Sequence, residues 1–145
     1  MRTTTKNSII LFFIIFFHGC VSSTKPQFTQ EIEEPDANFI LYVSNQSFEK
    51  PNVNISITLD GKHLITDFFG VRNQHYWKIY SLNLSYGKHL LSVKADNSSY
   101  ELEEEFEITN KHWAVISFWY TSKKNKDYQP SGITFEISDE PYAFL

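Results

Sequence analysis

The only cysteine of the chain is Cys20, and it lies directly after the one long apolar run of the sequence. A lone cysteine makes no internal disulfide, so its thiol is either free or covalently used. No other residue has so specific a chemical context. The position of Cys20 therefore predicts an attachment point.

Four histidines after Cys20 are candidates for metal binding, because a folded sheet can bring residues of different strands together. They are His63, His75, His89 and His112. None has the spacing of a metal motif such as HxH or HExxH, and no thiol follows Cys20. The sequence predicts no metal site and no cofactor, and the histidines are interpreted as surface residues or as residues bonded to the backbone.

Four glutamates alternate along one predicted strand: Glu101, Glu103, Glu105 and Glu107. A hydrolase needs two carboxylates that face each other across a cleft in different environments, whereas these four lie side by side on one face. The pattern predicts a solvated face on an exposed strand that avoids edge-to-edge pairing. The alternative is recruitment of calcium or of a basic partner.

The sequence contains no recognisable catalytic constellation. There is no GxSxG motif, no cysteine–histidine pair and no phosphate-binding glycine loop, and the five glycines do not cluster. We therefore predict a protein that is not an enzyme.

Aromatic residues are the best candidates for ligand binding. Trp77, Trp113, Trp119 and Tyr120 lie on two predicted strands, and aromatic faces on an open sheet can stack against sugar rings. The alternative is that these side chains fill the core, as expected for a central strand with both faces covered.

The start of the chain has the form of an export signal. Arg2 and Lys6 precede the apolar run Ile9–Phe17, and a basic start with an apolar run of this length is typical of such signals. At about 1.5 Å per residue, nine helical residues cover roughly 14 Å, which is too short for a bilayer core of about 30 Å. The segment is therefore a signal helix and not a membrane span.

The segment Phe17-His18-Gly19-Cys20 resembles the lipobox of bacterial lipoproteins. The resemblance implies that Cys20 becomes diacylglyceryl-modified and is then the new N-terminus. Two or more acyl chains give a stable membrane anchor, so the implied location is the cell envelope. Val21 implies the outer membrane if the source has two membranes. The alternative is cleavage after Ser22, which would release a secreted protein.

Composition sets the remaining bounds. Residues 1–19 form the predicted signal peptide, residues 20–37 a flexible polar tether with two prolines, and residues 38–145 one domain.

The formal charge of the full chain is −4, and loss of Arg2 and Lys6 with the signal peptide makes it −6. Since no basic patch is present, we expect no nucleic acid partner.

The domain region predicts an all-β fold. Short alternating segments, such as Val53 to Leu59, are separated by turn signals about every ten residues, and Asp60-Gly61 is the strongest hairpin signal. Phe39–Val43 and His112–Tyr120 are apolar on both faces, which favours central strands. We predict an antiparallel β-sandwich of about seven or eight strands, immunoglobulin-like or prealbumin-like.

Two segments then carry a second resemblance. Ile57–Lys62 reads ITLDGK and Leu84–Val93 reads LSYGKHLLSV, a rhythm that resembles PEGA-like, prealbumin-like and other immunoglobulin-like modules of bacterial surfaces. The resemblance implies a non-catalytic accessory or binding module. Its expected partner is an envelope protein or a glycan.

Overall fold

The computed structural model describes residues 34–47, 49–71, 76–97, 99–125 and 130–143. The predicted signal peptide, Cys20 and most of the predicted tether lie outside these ranges. Within them, no helix is long and apolar enough to cross a membrane.

The described residues form eight strands in two packed four-stranded sheets, which confirms the predicted all-β sandwich. Sheet I has the order β4-β1-β7-β8, and sheet II has the order β3-β2-β5-β6. The strands are β1 (Phe39–Asn45), β2 (Asn52–Leu59), β3 (Lys62–Gly70), β4 (Lys78–Leu82), β5 (Gly87–Ala95), β6 (Tyr100–Ile108), β7 (His112–Trp119) and β8 (Gly132–Ser138).

The β2–β3 hairpin follows its sequence pattern. Alternate residues of β2 are buried from Val53 to Leu59, and Leu59 pairs with Lys62 across a two-residue turn. Both turn residues have positive φ, 50° at Asp60 and 72° at Gly61. Such a turn matches the twist of the flanking strands, so the Asp60-Gly61 dipeptide fixes the register of the hairpin.

Strands β1 and β7 form the centre of sheet I, as their apolar character predicts. All seven residues of β1 are buried, and β1 lies between β4 and β7. The β1–β7 pairing is parallel, from Phe39 opposite His112 to Asn45 opposite Phe118. This one pair departs from the predicted antiparallel arrangement. Between the two strands the chain crosses to sheet II and back twice, through β2–β3 and through β5–β6, and it enters β7 in the same direction as β1.

Two hydrophobic clusters bury the two faces of sheet I. The main core lies between the sheets and contains Leu41, Ile57 and Phe118, all fully buried. The second cluster lies on the outer face of sheet I, where Ile40, Tyr42 and Val115 are covered by partly buried side chains. Those side chains are Trp77, Ile79, Trp113 and Tyr142. Tyr142, from the segment after β8, therefore packs back on the domain.

Strand β4 is shorter than its sequence pattern predicts. Alternation extends from Gln74 to Leu84, but the strand covers Lys78–Leu82 only. Alternate residues lie on opposite faces of sheet I, since Tyr80 and Leu82 join the main core and Trp77 and Ile79 join the second cluster.

Leu41→Ala should destabilise the domain strongly. Leu41 is fully buried between Tyr80 and Ala114 in the middle of sheet I. Removal of buried methyl groups leaves a cavity and costs about 2–5 kcal/mol. Urea unfolding measures this change, and Leu90→Ala is the matched control. Leu90 is 43% exposed, so its truncation should change the free energy of unfolding by less than about 0.5 kcal/mol. Equal effects of the two substitutions would contradict the assigned core.

Candidate functional site

The four predicted aromatic candidates do not form one exposed surface. Trp77 and Trp113 are partly buried against the second cluster. Trp119 is 40% exposed and lies on the same face as Trp113, six residues and about 20 Å farther along β7. Tyr120 packs against the main core instead. The candidates are thus divided between the outer face of sheet I and one end of the sandwich.

Trp113 is held by its position in the sheet. Its neighbours across the ladder are Ile40 and Ser138, and the Lys111 ammonium lies 5.4 Å from the ring centroid. The indole Nε1 is buried without a hydrogen-bond partner among the described residues. A sugar cannot reach the covered face of this ring, so Trp113 contributes mainly to packing.

Tyr120 lines an open pocket of about 400 Å³ at the end of the sandwich. We call it the end pocket. Tyr100 begins β6 of sheet II and Tyr120 follows β7 of sheet I, so each sheet supplies one tyrosine where the two sheets separate. The other lining residues are Thr121, Ser122, Lys123, Pro130 and Ser131.

Hydrogen bonds hold the walls of the end pocket. The Glu49 carboxylate accepts from the Ser122 backbone N–H at 3.0 Å and from Asn125 Nδ2 at 2.7 Å. The Thr121 N–H donates to Ser131 Oγ at 3.1 Å. These bonds join the two described parts of the loop after β7 to each other and to Glu49 in the connection before β2.

The rings and charges of the end pocket are also fixed. Tyr100 packs edge-on against Phe118 with ring centroids 5.2 Å apart. Lys50 forms an ion pair with Asp96, and its ammonium lies 5.4 Å from the Tyr120 ring centroid. Lys123 is exposed at the rim. Aromatic faces, hydroxyl groups and an ammonium together suit a small polar ring better than an apolar ligand.

Sequence reasoning missed Tyr100, Lys50 and Glu49 as part of this region. Glu49 and Lys50 are adjacent before β2 and Tyr100 begins β6, so the three residues lie in two separate segments of the chain, and neither segment has a local motif. The available signal was the loop from Thr121 to Ser131, which is long and basic for a strand connection.

The described histidines lie apart from one another. His63 is exposed on β3, His89 pairs with Asp60, and His112 pairs with Asp139 at 2.8 Å. His75 lies outside the described residues. Among the residues that the structure describes, no three histidine, cysteine or acidic side chains converge as metal ligands.

His89 has a defined structural role. Its ring is buried and both nitrogens face acceptors, with Nδ1 at 2.7 Å from Asp60 Oδ2 and Nε2 at 2.8 Å from the Ser85 carbonyl oxygen. Burial opposes the charged imidazolium, but the Ser85 carbonyl and the Asp60 carboxylate outweigh burial and raise the pKa of His89. The His89 ring therefore links the β2–β3 turn to the chain before β5.

Asp60 is stabilised as a carboxylate by the same arrangement. Burial opposes its ionisation, but the Leu90 N–H, which donates to Oδ1 at 3.0 Å, and His89 together lower its pKa. The carboxylate accepts from backbone and imidazolium at once, so both charges of the pair are accommodated.

The acidic strand lies where its sequence predicts. β6 is an outermost strand of sheet II, and all four alternating glutamates from Glu101 to Glu107 are exposed. Glu101 pairs with Lys94 of β5 at 3.1 Å. Glu104 is also exposed and interrupts the inward-facing row of this outermost strand.

Comparison with known proteins gives no match, whether the chain is compared with protein-family models, with curated proteins or with solved structures.

The His89–Asp60 pair predicts a pH-dependent stability. Because the pKa of His89 is raised above 6.5 in the folded state, its stabilising contribution is complete below about pH 6.5 and disappears as the pH rises through the folded-state value. The lowered pKa of Asp60 acts in the opposite direction, and its contribution is lost as the pH falls below 3.8. The free energy of unfolding of the wild type should therefore decline as the pH rises above about 6.5.

His89→Gln should remove this component of the decline and cost about 1–3 kcal/mol at pH 6, since hydrogen bonds of a charged group are lost. Urea unfolding at several pH values measures both effects. His63→Gln is the matched control, because His63 is exposed and its replacement should leave the wild-type profile. An unchanged profile in the His89 variant would show that the pair does not titrate as described.

Proposed function

We propose that this protein is a membrane-anchored bacterial lipoprotein whose β-sandwich is a non-catalytic binding or envelope-structural module. The proposal rests on the basic and apolar start of the chain, on Gly19-Cys20, and on the absence of any other cysteine. It places the protein in the cell envelope, in the outer membrane if the source has two membranes. The alternative location is secretion without a lipid.

The structural observation that carries the proposal is how the end of the predicted tether and the residue after it join the domain. The Asn38 side chain donates to the Leu84 carbonyl and accepts from the Leu84 N–H, both at 2.8 Å. The Glu34 N–H donates to Ser81 Oγ at 3.0 Å, and Lys111 Nζ donates to the Pro35 carbonyl at 3.2 Å. The last residues of the predicted tether are thus bonded to the domain.

This junction leads directly into a central strand of sheet I. β1 is hydrogen-bonded on one side to β4 and on the other to β7. A tether that enters a central strand holds the domain by many backbone bonds, whereas an outermost strand would detach more easily. Such an attachment suits a module that stays fixed at a membrane surface.

Cys20→Ala should abolish membrane association. The wild-type product should begin at Cys20 and carry the added mass of acyl chains, whereas the variant should be soluble and unmodified, because the thiol is the site of acylation. Intact mass and membrane partition of the expressed proteins measure this. Ser22→Ala is the control and should remain acylated. Soluble, unmodified products from both the wild type and Cys20→Ala would contradict the anchor.

The second candidate function is glycan binding, which the end pocket favours. The pocket combines two tyrosines, three hydroxyl-bearing residues and Lys123 in about 400 Å³, within the size range of small-ligand sites. The relevant candidate from the sequence is then Tyr120 rather than Trp77 or Trp113, whose rings are used in packing.

Tyr120→Ala should weaken oligosaccharide binding at least about tenfold, which corresponds to ~1.4 kcal/mol, because the ring forms one wall of the pocket. Calorimetric titration with neutral hexose and uronic-acid oligosaccharides measures the affinity. Trp119→Ala is the matched control, since Trp119 is the neighbouring aromatic on the other face of the strand. Equal loss in both variants, or no binding by the wild type, would exclude the end pocket as a glycan site.

A further inference from the structure

Strand β8 is the unprotected edge of this sandwich. It ends sheet I among the described strands, and its sequence GITFEIS contains one charged residue, Glu136. The inward-facing row is incompletely covered, since Ile133 and Phe135 are only half-buried and Ile137 is 38% exposed. An end position in the sheet and incompletely covered apolar side chains are both typical of a strand that lacks a neighbour.

The other outermost strands are protected in recognisable ways. β6 carries the glutamates described above. On the opposite side, β4 is only five residues long, and Lys78 closes the gap between the sheets by pairing with Asp67 and donating to the Phe68 carbonyl at 3.1 Å. β3 also has an irregular register opposite Ile57 and Thr58. β8 has none of these features.

A groove of about 260 Å³ lies between the edges of β8 and β6. We call it the edge groove. Phe106 and Ile137 contribute its apolar part, and Phe106 is 5.7 Å from Phe135, measured between ring centroids. The apolar row of β8 is therefore continuous with the floor of the groove. An added strand could cover this surface with alternate apolar side chains.

The rim of the edge groove is acidic. Glu105, Glu107 and Asp139 line it, and Glu136 is exposed on β8. Lys88 is the cation opposite Glu107 in the β5–β6 ladder, and His112 bonds to Asp139. The carboxylates of the rim outnumber Lys88, its one nearby lysine among the residues named here. Two copies of the chain that joined through β8 would bring two such rims together, so repulsion disfavours a second copy as the occupant.

We propose that β8 accepts an additional β-strand from another protein, an extended segment in which apolar residues alternate with lysine or arginine. Main-chain hydrogen bonds along β8 supply affinity, as in other cases of strand addition to a sheet edge. One row of the segment covers Phe135 and Ile137. The other row lies beside Glu136, and the acidic rim attracts it. This interaction is independent of the membrane anchor and of the end pocket.

The test uses the full-length protein in detergent and a nine-residue peptide that alternates valine and lysine, with blocked termini. Its negative control alternates valine and glutamate. Calorimetry should detect binding of the basic peptide at concentrations below 1 mM and no binding of the acidic peptide. Hydrogen exchange should slow at the amides of residues 132–138 when the basic peptide is present. Absence of binding up to 1 mM would overturn the proposal.

Two variants separate strand addition from simple charge attraction. Ile137→Lys should weaken peptide binding at least about tenfold, because it places a cation in the apolar row. Leu90→Lys makes the same charge change at a similarly exposed aliphatic residue on sheet II and should change affinity less than about twofold. Because Ile137 is exposed, the Ile137→Lys variant should fold. Glu136→Lys is a further variant, and it should also weaken peptide binding.

Equal effects of the two lysine substitutions, or protection of β6 amides instead of β8 amides, would mean that the peptide binds only to the acidic surface, and the proposal would be wrong. Self-association of the wild type that Ile137→Lys alone disrupts would identify a second copy as the occupant. That result would overturn the assignment to another protein.

Discussion

Burial of sheet I on both faces is the constraint on which the rest of the structure depends. β1 and β7 are central strands, and both faces of each carry buried apolar side chains. Leu41 and Ile116 face sheet II, whereas Ile40 and Val115 face outward. Removing the apolar surface of such strands from water gives the main favourable term in folding. An uncovered outer face would expose that surface, so the domain needs a second layer of side chains over it.

The covering residues come from distant parts of the chain. Trp77 precedes β4, Trp113 belongs to β7, and Tyr142 comes from the segment after β8, where its ring meets Tyr42 at 6.4 Å in an edge-to-face arrangement. These large side chains cannot serve at the same time as an open binding platform. Coverage of sheet I therefore moves the surfaces available for binding to the end of the sandwich and to its open edge.

Electrostatics differ between these two surfaces. The end pocket has Lys123 at its rim and an ion pair, Lys50–Asp96, beside its tyrosines. The edge groove is lined by Glu105, Glu107 and Asp139. Since the chain is acidic overall, the end pocket is the less repulsive place for a polar or anionic ligand, whereas the edge groove favours a cationic one. The end pocket and the edge groove are thus separate surfaces that favour ligands of different charge.

The sequence by itself determined the class of the fold and several of its details. Side-chain alternation and turn residues are local properties, so they predicted the β2–β3 hairpin at Asp60-Gly61, the double burial of β1 and β7, and the exposed acidic face of β6. The lipidation of Cys20 and the membrane anchor remain predictions, because Cys20 lies outside the described residues.

Only the tertiary structure decided which residues meet. Strand direction leaves no mark in local alternation, so the parallel pairing of β1 with β7 could not be read from the sequence. Whether each aromatic side chain is buried or exposed depended on which side chains cover the outer face of sheet I. The end pocket also joins Tyr100 and Tyr120, which come from different sheets. Contacts between residues far apart in sequence arise from packing of the whole chain, and a pattern of neighbouring residues carries no information about them.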